Sequence, residues 1–236
     1  MKISIIIPAY NEEKYISKCL ACIIKNAPNI YEIIVVDNAS TDWTANEVRK
    51  FSNVKYIYEG KKWLTIARQT WYLAATWDII AYIDADTRMP IWRYEKIIKY
   101  FEDDKELWFL SGPYYYYDAG IINYIWSVIY WGFFAYPIYI FLWYIWVGGN
   151  MIFRKDILDK MLWFDTNIKF YWEDTNAARR ASKFAKCKFA LNLVMPTSAR
   201  RLNKQWTIKT IYIYVCNFFS EVINKKPYTS DYEDFR

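Results

Sequence analysis

Residues 78–90 read Asp-Ile-Ile-Ala-Tyr-Ile-Asp-Ala-Asp-Thr-Arg-Met-Pro, and this stretch decides the predicted fold. The apolar run at 79–83 has the length of a buried strand, and two carboxylates, Asp84 and Asp86, follow it. Ligands of open α/β sheets bind at the carboxyl ends of the strands, where two carboxylates one residue apart can face one divalent cation. The alternative is that the pair begins a polar loop and caps a helix starting near Pro90.

Strand and helix patterns alternate before this stretch. Apolar runs predict strands at 2–7, 33–36 and 54–58, and helical patterns predict helices that end near residue 26 and that cover about 62–76. This alternation implies right-handed crossovers and a mostly parallel sheet flanked by helices. Pro8, Asp37 and Asp84 each follow a strand, so polar residues should gather along one edge, although no glycine-rich phosphate loop is present.

Charge and composition narrow the chemistry. The chain has 31 Lys and Arg against 25 Asp and Glu, and it has no His, which excludes imidazole from catalytic and metal-binding hypotheses. Metal ligation must therefore come from oxygen, and acid–base work from carboxylates. Nine basic residues and no acidic one lie between 175 and 220, which favours a diphosphate, a lipid phosphate or an anionic membrane surface as partner. A solvated helix face is the alternative.

Five short motifs occur in order along the chain. They are Pro-Ala-Tyr-Asn-Glu-Glu at 8–13, Val-Val-Asp-Asn-Ala-Ser-Thr-Asp at 35–42, Asp-Ala-Asp at 84–86, Gly-Gly-Asn at 148–150 and Trp-Glu-Asp at 172–174. Each motif is weak alone, but the ordered set resembles the family 2 glycosyltransferases of the GT-A fold over about residues 1–188. The resemblance implies an inverting, nucleotide-sugar-dependent enzyme with a Rossmann-like, mostly parallel sheet.

The resemblance also implies roles on the donor side. Asp37 would accept hydrogen bonds from the base or ribose, and Asp84 and Asp86 would hold the ribose and a Mg2+ or Mn2+ ion that bridges the diphosphate. The other residues that would line the nucleoside pocket or approach the donor are Pro8, Tyr10, Glu12 and Arg68. Taken singly, Pro8 and Tyr10 can also end a strand, and Asp37 can form a turn.

On the acceptor side the resemblance singles out an acidic pair. Asp174 would deprotonate the acceptor hydroxyl while the nucleoside diphosphate leaves from the opposite face, with Glu173 as the second acid of the pair. Two acids in the first turn of a helix are also what the helix dipole favours, so capping is the alternative. The predicted acceptor region consists of Gly148, Gly149, Asn150 and Trp172.

The longest uncharged segment covers residues 119–153. Its aromatic-rich part at 121–147 is long enough to span a bilayer. A single span would put Asp84 and Asp174 on opposite sides of the membrane, and Pro137 divides the run. We therefore predict two amphipathic or re-entrant helices at the membrane surface. An aromatic core or a dimer face is the alternative.

These observations divide the chain into four parts. Residues 1–118 form the nucleotide-sugar-binding half of a GT-A domain, 119–147 the apolar insertion at the membrane interface, 148–203 the acceptor and catalytic half, and 204–236 an amphipathic helix and tail. The predicted enzyme transfers a sugar to a membrane-associated acceptor, which is a lipid-linked or cell-envelope glycan. A sugar nucleotidyltransferase and a non-catalytic nucleotide- or membrane-binding relative are the alternatives.

The cysteines and the N-terminal sequence bear on localisation. Cys19 and Cys22 fall in a helical pattern without a second pair, which favours buried thiols of a reduced, cytoplasmic protein. The N-terminal apolar run is too short for a signal peptide. We expect a cytoplasmic protein that is peripheral or monotopic at the cytoplasmic face of the membrane, with no nucleic-acid partner.

Tryptophan is unusually frequent and glycine unusually rare. The chain has 13 Trp and 6 Gly, whereas Gly is normally about 7% of a chain. Several Trp stand where a turn or helix end favours positive φ, and the matching positions of the resembled family are commonly Gly. UGA encodes Gly in some genetic codes and Trp in others, so we hypothesise recoded Gly at Trp43, Trp71, Trp77, Trp163, Trp172 and Trp206. Stacking on a sugar is the alternative, most readily for Trp172.

Overall fold

The computed structural model describes residues 1–60, 78–160, 173–200, 207–224 and 228. In these ranges the strands are β1 (Ile3–Ala9), β2 (Glu32–Asp37), β3 (Val54–Tyr58), β4 (Ile79–Ile83), β5 (Leu107–Ser111), β6 (Tyr114–Tyr116), β7 (Asn150–Arg154), β8 (Lys186–Phe189) and β9 (Met195–Thr197). The helices are α1 (Ile16–Asn26), α2 (Thr44–Arg49), α3 (Arg93–Asp103), α4 (Gly120–Ile129), α5 (Tyr136–Leu142), α6 (Asp156–Lys160), α7 (Glu173–Ala181) and α8 (Thr207–Asn224). Arg68, Trp172 and the helix predicted over 62–76 lie outside the described residues.

Seven strands form the central sheet in the order β3-β2-β1-β4-β7-β5-β8. Neighbouring strands are parallel except at β7, which runs antiparallel to β4 and β5. β6 and β9 pair in a separate two-stranded parallel sheet. The mostly parallel α/β sheet predicted from the alternating pattern is confirmed, and the four predicted strands occur with small changes at their ends.

Helices cover both faces of the sheet, which is why its central strands are largely apolar on both sides. Successive residues of a strand point to opposite faces. In β1, Ile5 and Ile7 pack into the cluster that contains Leu20 of α1, whereas Ile6 packs into the cluster that contains Ala177 of α7. A shift of one residue would exchange these contacts, so burial fixes the register and holds the carboxyl ends of β1, β2 and β4 at one edge.

The uncharged insertion is one continuous helical rod, Gly120–Leu142. The rod consists of α4, a π-helical turn (Tyr130–Ala135) and α5. Pro137 lies in the first turn of α5 and does not interrupt it. Proline cannot donate a backbone hydrogen bond, and the wider π-helical turn directly before α5 accommodates the missing bond. The predicted division into two helices at Pro137 is therefore wrong.

The rod packs on the domain along one side only. There Ala135 is buried, and the ring centroids of Trp131 and Tyr139 lie 5.7 and 6.1 Å from that of Phe189. The large apolar side chains of the rod that are at least 60% exposed are Ile121, Ile122, Trp126, Phe133, Phe134 and Phe141. Among the described residues, the rod is the one helix whose length and composition would allow it to cross a membrane.

The helix predicted within residues 204–236 occurs as α8, and its amphipathic character stays a prediction. Its Phe218 packs on the small apolar cluster of Ala135, Val147 and Phe189 that lies beneath the rod. Its outer side chains remain in solvent: Tyr212, Val215, Phe219 and Ile223. The rod and α8 therefore share one apolar cluster of the domain.

The backbone φ angles of two tryptophans bear on the recoding hypothesis, and they differ in sign. Trp43 has a φ of −82°, so the positive-φ argument is wrong at that position. Trp143 directly follows α5, has a φ of +65° and is 72% exposed. Its N–H donates to the carbonyl of Tyr139 at 2.6 Å, a left-handed helix C-terminus of the kind that favours Gly. The other five proposed positions lie outside the described residues.

Replacing Trp143 by Gly should therefore stabilise the domain. An L-residue in the left-handed region costs about 1–2 kcal/mol, which Gly avoids, and the exposed indole contributes little burial. Trp126 is the matched control because it is 62% exposed inside α4. Trp126→Gly should lower the free energy of unfolding by about 1 kcal/mol. Urea unfolding of both variants measures the change in the free energy of unfolding, which should be positive for Trp143→Gly and negative for Trp126→Gly. A destabilised Trp143→Gly protein would contradict the expectation.

The native gene tests the recoding hypothesis. The hypothesis requires UGA codons at the six proposed positions and Gly at these positions in the native protein, which mass spectrometry can read. UGG codons, or Trp in the native peptides, would overturn it.

Candidate active site

Acidic side chains gather at the carboxyl edge of the central sheet. Ala9 at the end of β1 pairs with Asp37 at the end of β2, and β4, on the other side of β1, ends one residue before Asp84. Glu12, Asp37 and Asp86 are all buried here, with exposed fractions of 3%, 1% and 7%. The predicted gathering of polar residues along one edge is confirmed by this register.

The two carboxylates of the Asp-Ala-Asp turn are each held by a hydroxyl from the small sheet of β6 and β9. The hydroxyl of Tyr114 donates to Asp84 Oδ2, and the hydroxyl of Thr197 donates to Asp86 Oδ1, both at 3.1 Å. The turn itself closes through Thr87, whose N–H and hydroxyl donate to the Asp84 carbonyl at 3.1 and 2.8 Å. The small sheet therefore fixes the orientation of both carboxylates.

Arg200 pairs with two of the buried acids, Glu12 and Asp86. Its Nη2 donates to Glu12 Oε1 at 2.5 Å, and its Nε lies 2.9 Å from Asp86 Oδ2. Burial raises the pKa of Asp86 to about 6, and the neighbouring Asp84 and Glu12 add to the rise, while Arg200 opposes it. Burying a carboxylate is tolerated when a cation pairs with it. The sequence indicated Arg200 only as one of nine basic residues and gave no local signal for this contact.

The donor chemistry of the Asp-Ala-Asp turn fits a hard divalent cation. Mg2+ is commonly bound by one or two carboxylates together with substrate phosphates, and Asp84 and Asp86 supply two carboxylates. Within the described ranges, no group of three acidic, His or Cys side chains could hold a metal ion by itself. The residues present therefore fit an ion that shares its coordination with a bound diphosphate.

The two loops predicted to line the nucleoside pocket are hydrogen-bonded to each other. Asn11 N–H donates to Ser40 Oγ at 2.9 Å, Thr41 N–H donates to Asn11 Oδ1 at 2.9 Å, and Glu12 N–H donates to Thr44 Oγ1 at 2.7 Å. The loop after β1 and the loop after β2 are thus one preformed unit. The pocket-lining roles of Pro8, Tyr10 and Glu12 stay predictions, and Pro8 itself lies within β1 rather than after it.

Asp37 is oriented by the same region. Its Oδ1 accepts from Ser40 N–H at 2.8 Å, and its Oδ2 accepts from the Tyr56 hydroxyl at 2.7 Å. A carboxylate oxygen has more than one lone pair, so both oxygens can still accept from a ligand. Its role toward a base or ribose remains a prediction.

The Gly-Gly-Asn motif has a structural role that the sequence did not reveal. Asn150 is fully buried; its Nδ2 donates to the carbonyls of Gly112 and Leu193 at 2.9 and 3.1 Å. Its Oδ1 accepts from the buried guanidinium of Arg93. The acceptor roles predicted for Gly149 and Asn150 therefore stay predictions, with the polar atoms of the Asn150 side chain bonded inside the protein. The acceptor role of Gly148 remains a prediction.

Gly149 lies directly against the Asp-Ala-Asp turn. A Cβ at this position would overlap Asp84 Oδ2 and the hydroxyl of Tyr114. Only glycine allows the backbone before β7 to approach this closely. Gly149 thus leaves the space that the side chains of Asp84 and Tyr114 occupy in the carboxylate site.

Gly149→Ala should weaken metal-dependent nucleotide binding because the methyl group displaces Asp84 or Tyr114. We expect the affinity for a nucleoside diphosphate in the presence of Mn2+ to fall at least tenfold, about 1.4 kcal/mol. Gly132→Ala is the matched control, since a Cβ there meets nothing within 4 Å. Isothermal titration of both variants provides the measurement, and equal affinities for the two would refute the packing argument.

The predicted acidic pair lies at the start of α7. Asp174 is partly buried, and its Oδ1 accepts from the N–H of Thr175 at 2.7 Å. α7 packs on the sheet through Ala177 and Ala178, which fixes the position of its first turn. The role of Asp174 as base, with Glu173 beside it, remains a prediction, and Trp172 lies outside the described residues.

The sheet order and the carboxylate turn at its edge are those of a GT-A-type α/β domain. The chain belongs to the family described as Glycosyl transferase family 2, whose model matches residues 4–162. The family and the fold class predicted from the five motifs are both confirmed.

Three similar proteins illustrate the range of relatives. Glycosyltransferase GlyA of Streptococcus pneumoniae serotype 4 is 32% identical over 110 residues, which are 43% of this chain and 16% of GlyA. A second relative, from Methanococcus voltae, is 43% identical over 68 residues, which are 25% of this chain and 21% of that enzyme. Its name is dolichyl N-acetyl-alpha-D-glucosaminyl phosphate 3-beta-D-2,3-diacetamido-2,3-dideoxy-beta-D-glucuronosyltransferase.

The structure of the mannosyltransferase PcManGT from Pyrobaculum calidifontis, in complex with GDP-Man and Mn2+, has a TM-score of 0.72 and 20% identity. It covers 94% of this chain and 64% of that chain, and the similarity shows a shared fold. The chain spans less than two thirds of the length of each of the three proteins.

Proposed function

We propose that this chain is an inverting, metal-dependent glycosyltransferase domain. It transfers a sugar from a nucleotide diphosphate sugar to a membrane-associated acceptor, which is a lipid-linked or cell-envelope glycan. The observation that carries the proposal is the oriented pair Asp84 and Asp86 at the carboxyl edge, beside the preformed unit of the loops after β1 and β2. Family membership supports the reaction class, and the PcManGT complex with GDP-Man and Mn2+ supports the type of donor and metal.

Each residue of the edge has a chemical task in this proposal. Asp84 and Asp86 would hold Mg2+ or Mn2+, which when bound stabilises the charge of the departing diphosphate. Asp37 would accept from the base or ribose, and Pro8 and Tyr10 would line the same pocket. Glu12, which is ion-paired to Arg200, would line this pocket as well.

The direct test is a transfer assay with a panel of nucleotide sugars and polyprenyl-phosphate saccharides in vesicles. We expect one donor to give a lengthened lipid-linked product with Mn2+ and none with EDTA. Metal-dependent donor hydrolysis without any lengthened product would reject the lipid-linked acceptor, and no turnover of any donor would reject the enzyme.

Asp174→Asn tests the proposed base. The amide cannot take the acceptor proton, so turnover should fall roughly 10²-fold or more. Donor affinity should stay nearly unchanged, because this proposal assigns the diphosphate to the metal held by Asp84 and Asp86. Glu173→Gln is the matched control within the same helical turn. A larger loss in Glu173→Gln than in Asp174→Asn would assign the base to Glu173, and full activity in both would exclude the pair.

The rod supports a membrane-associated acceptor. β6 directly precedes the rod and β7 follows it within eight residues, and both strands belong to the domain that carries the carboxylates. A rod of 23 residues is about 34 Å long. A crossing would separate its two ends by a bilayer, so we propose that it lies in the interface with its exposed Ile, Trp and Phe side chains in lipid, at the cytoplasmic face.

Phe133→Asp combined with Phe141→Asp should release the protein from vesicles. These side chains are 76% and 83% exposed, and each contributes on the order of 2 kcal/mol when its ring leaves water. Ile91→Asp is the control, because Ile91 is 72% exposed and is not part of the rod. Co-sedimentation with phosphatidylglycerol vesicles should fall at least tenfold for the double variant alone. Binding retained by the double variant would reject the rod as the membrane contact.

A further inference from the structure

Arg200 bridges two carboxylates that approach the site from different parts of the chain. Glu12 follows β1, and Asp86 follows β4; the guanidinium contacts both at 2.5 and 2.9 Å. Its Cζ also lies 4.5 Å from the ring centroid of Tyr15, at the start of α1. The Arg200 side chain is 23% exposed, so a soluble ligand can reach the guanidinium from one side. Arg200 is therefore a counter-ion at the rim of the site.

The bonds of Asp86 make this counter-ion a competitor for a metal ion. Oδ1 accepts from the Thr197 hydroxyl at 3.1 Å, and Oδ2 is paired with Arg200 Nε at 2.9 Å. A dication that takes the lone pair of Oδ2 now facing Arg200 must displace the guanidinium from it. The two positive charges also repel each other strongly at contact distance in a buried site.

We propose that Arg200 and the divalent cation exchange at Asp86, so that metal and nucleoside diphosphate bind cooperatively. The inference rests on the metal role proposed above for Asp84 and Asp86. Without nucleotide, the guanidinium holds Asp86 and weakens metal binding. With nucleotide, the diphosphate supplies negative charge for the displaced guanidinium, so each ligand favours the other by the same factor.

The surrounding backbone limits the exchange to the side chain. Ser198 hydroxyl donates to Asp118 Oδ2 at 2.5 Å, and Ala199 N–H donates to Asp118 Oδ1 at 2.6 Å. These bonds hold the turn immediately before Arg200. Long, flexible arginine stems can change rotamer while such a backbone stays fixed.

The first test is Mn2+ binding without nucleotide. Arg200→Met keeps the apolar stem over Tyr15 and removes the charge, and Mn2+ should then bind about tenfold or more tightly, the value of a lost charged hydrogen bond. Lys188→Met removes the same charge from a lysine whose Nζ lies 4.8 Å from the Tyr100 ring centroid, and its Mn2+ affinity should not change. Calorimetry or electron paramagnetic resonance reports these affinities without any turnover.

The coupling provides a second measurement. In the wild type, a saturating nucleoside diphosphate should raise Mn2+ affinity by at least tenfold, and in Arg200→Met this factor should shrink toward one. Unchanged or weaker Mn2+ binding by folded Arg200→Met would overturn the exchange. If Arg200→Met does not fold, Tyr15→Leu is the second variant, because it removes the ring that the Arg200 guanidinium contacts. It should bind Mn2+ more tightly and show a smaller coupling factor, both to a lesser degree than expected for Arg200→Met.

The wild-type protein gives an independent observation. Titration with Mg2+ and a nucleoside diphosphate should shift the Nε–Hε signal of Arg200 in nuclear magnetic resonance spectra, and an unshifted signal at saturation would reject the exchange. Asp86→Asn separates this failure from that of the metal role. Mn2+ binding that is independent of Asp86 rejects the metal site itself, whereas binding that needs Asp86 and ignores Arg200 rejects only the exchange.

Discussion

The ion-pair network of Arg200 with Glu12 and Asp86 is the interaction on which the edge of the sheet depends. Two carboxylates are buried there with exposed fractions of 3% and 7%, and buried charge is costly unless a cation compensates it. Arg200 lies 188 residues from Glu12 in the chain. The contact therefore joins the loop after β1 to the segment that follows β9. The network places one guanidinium between two carboxylates, so Arg200 offsets part of their negative charge at the edge where an anionic donor is expected.

The small sheet of β6 and β9 links this site to the apolar rod. Tyr114 and Thr197 orient the two carboxylates, and the chain then passes from β6 through Asp118 into the rod. Asp118 also holds the turn that precedes Arg200. The proposed membrane contact and the proposed metal site therefore rest on the same few residues, which would keep the donor site at a constant height above a lipid surface.

The site illustrates why motif residues need not contact substrate. Gly149 and Asn150 belong to a motif assigned to the acceptor region, yet Asn150 is sealed among backbone carbonyls and Arg93. Gly149 leaves room for Asp84 and Tyr114. Gly149 acts on the carboxylate site by leaving this space, whereas Asn150 links backbone carbonyls to Arg93 by hydrogen bonds. The residues that complete the site, Tyr114 and Arg200 among them, belong to none of the five motifs.

The sequence by itself determined the parallel α/β sheet and the acids at its carboxyl edge. Strands buried on both faces must be apolar along their length, so polar residues such as Asp37 and Asp84 mark their ends. Only the tertiary structure decided the antiparallel course of β7, the continuity of the rod through Pro137, and the partners of Asp86. Thr197 lies 111 residues from Asp86, and such contacts arise from folding of distant segments, which no local spacing or periodicity of side chains encodes.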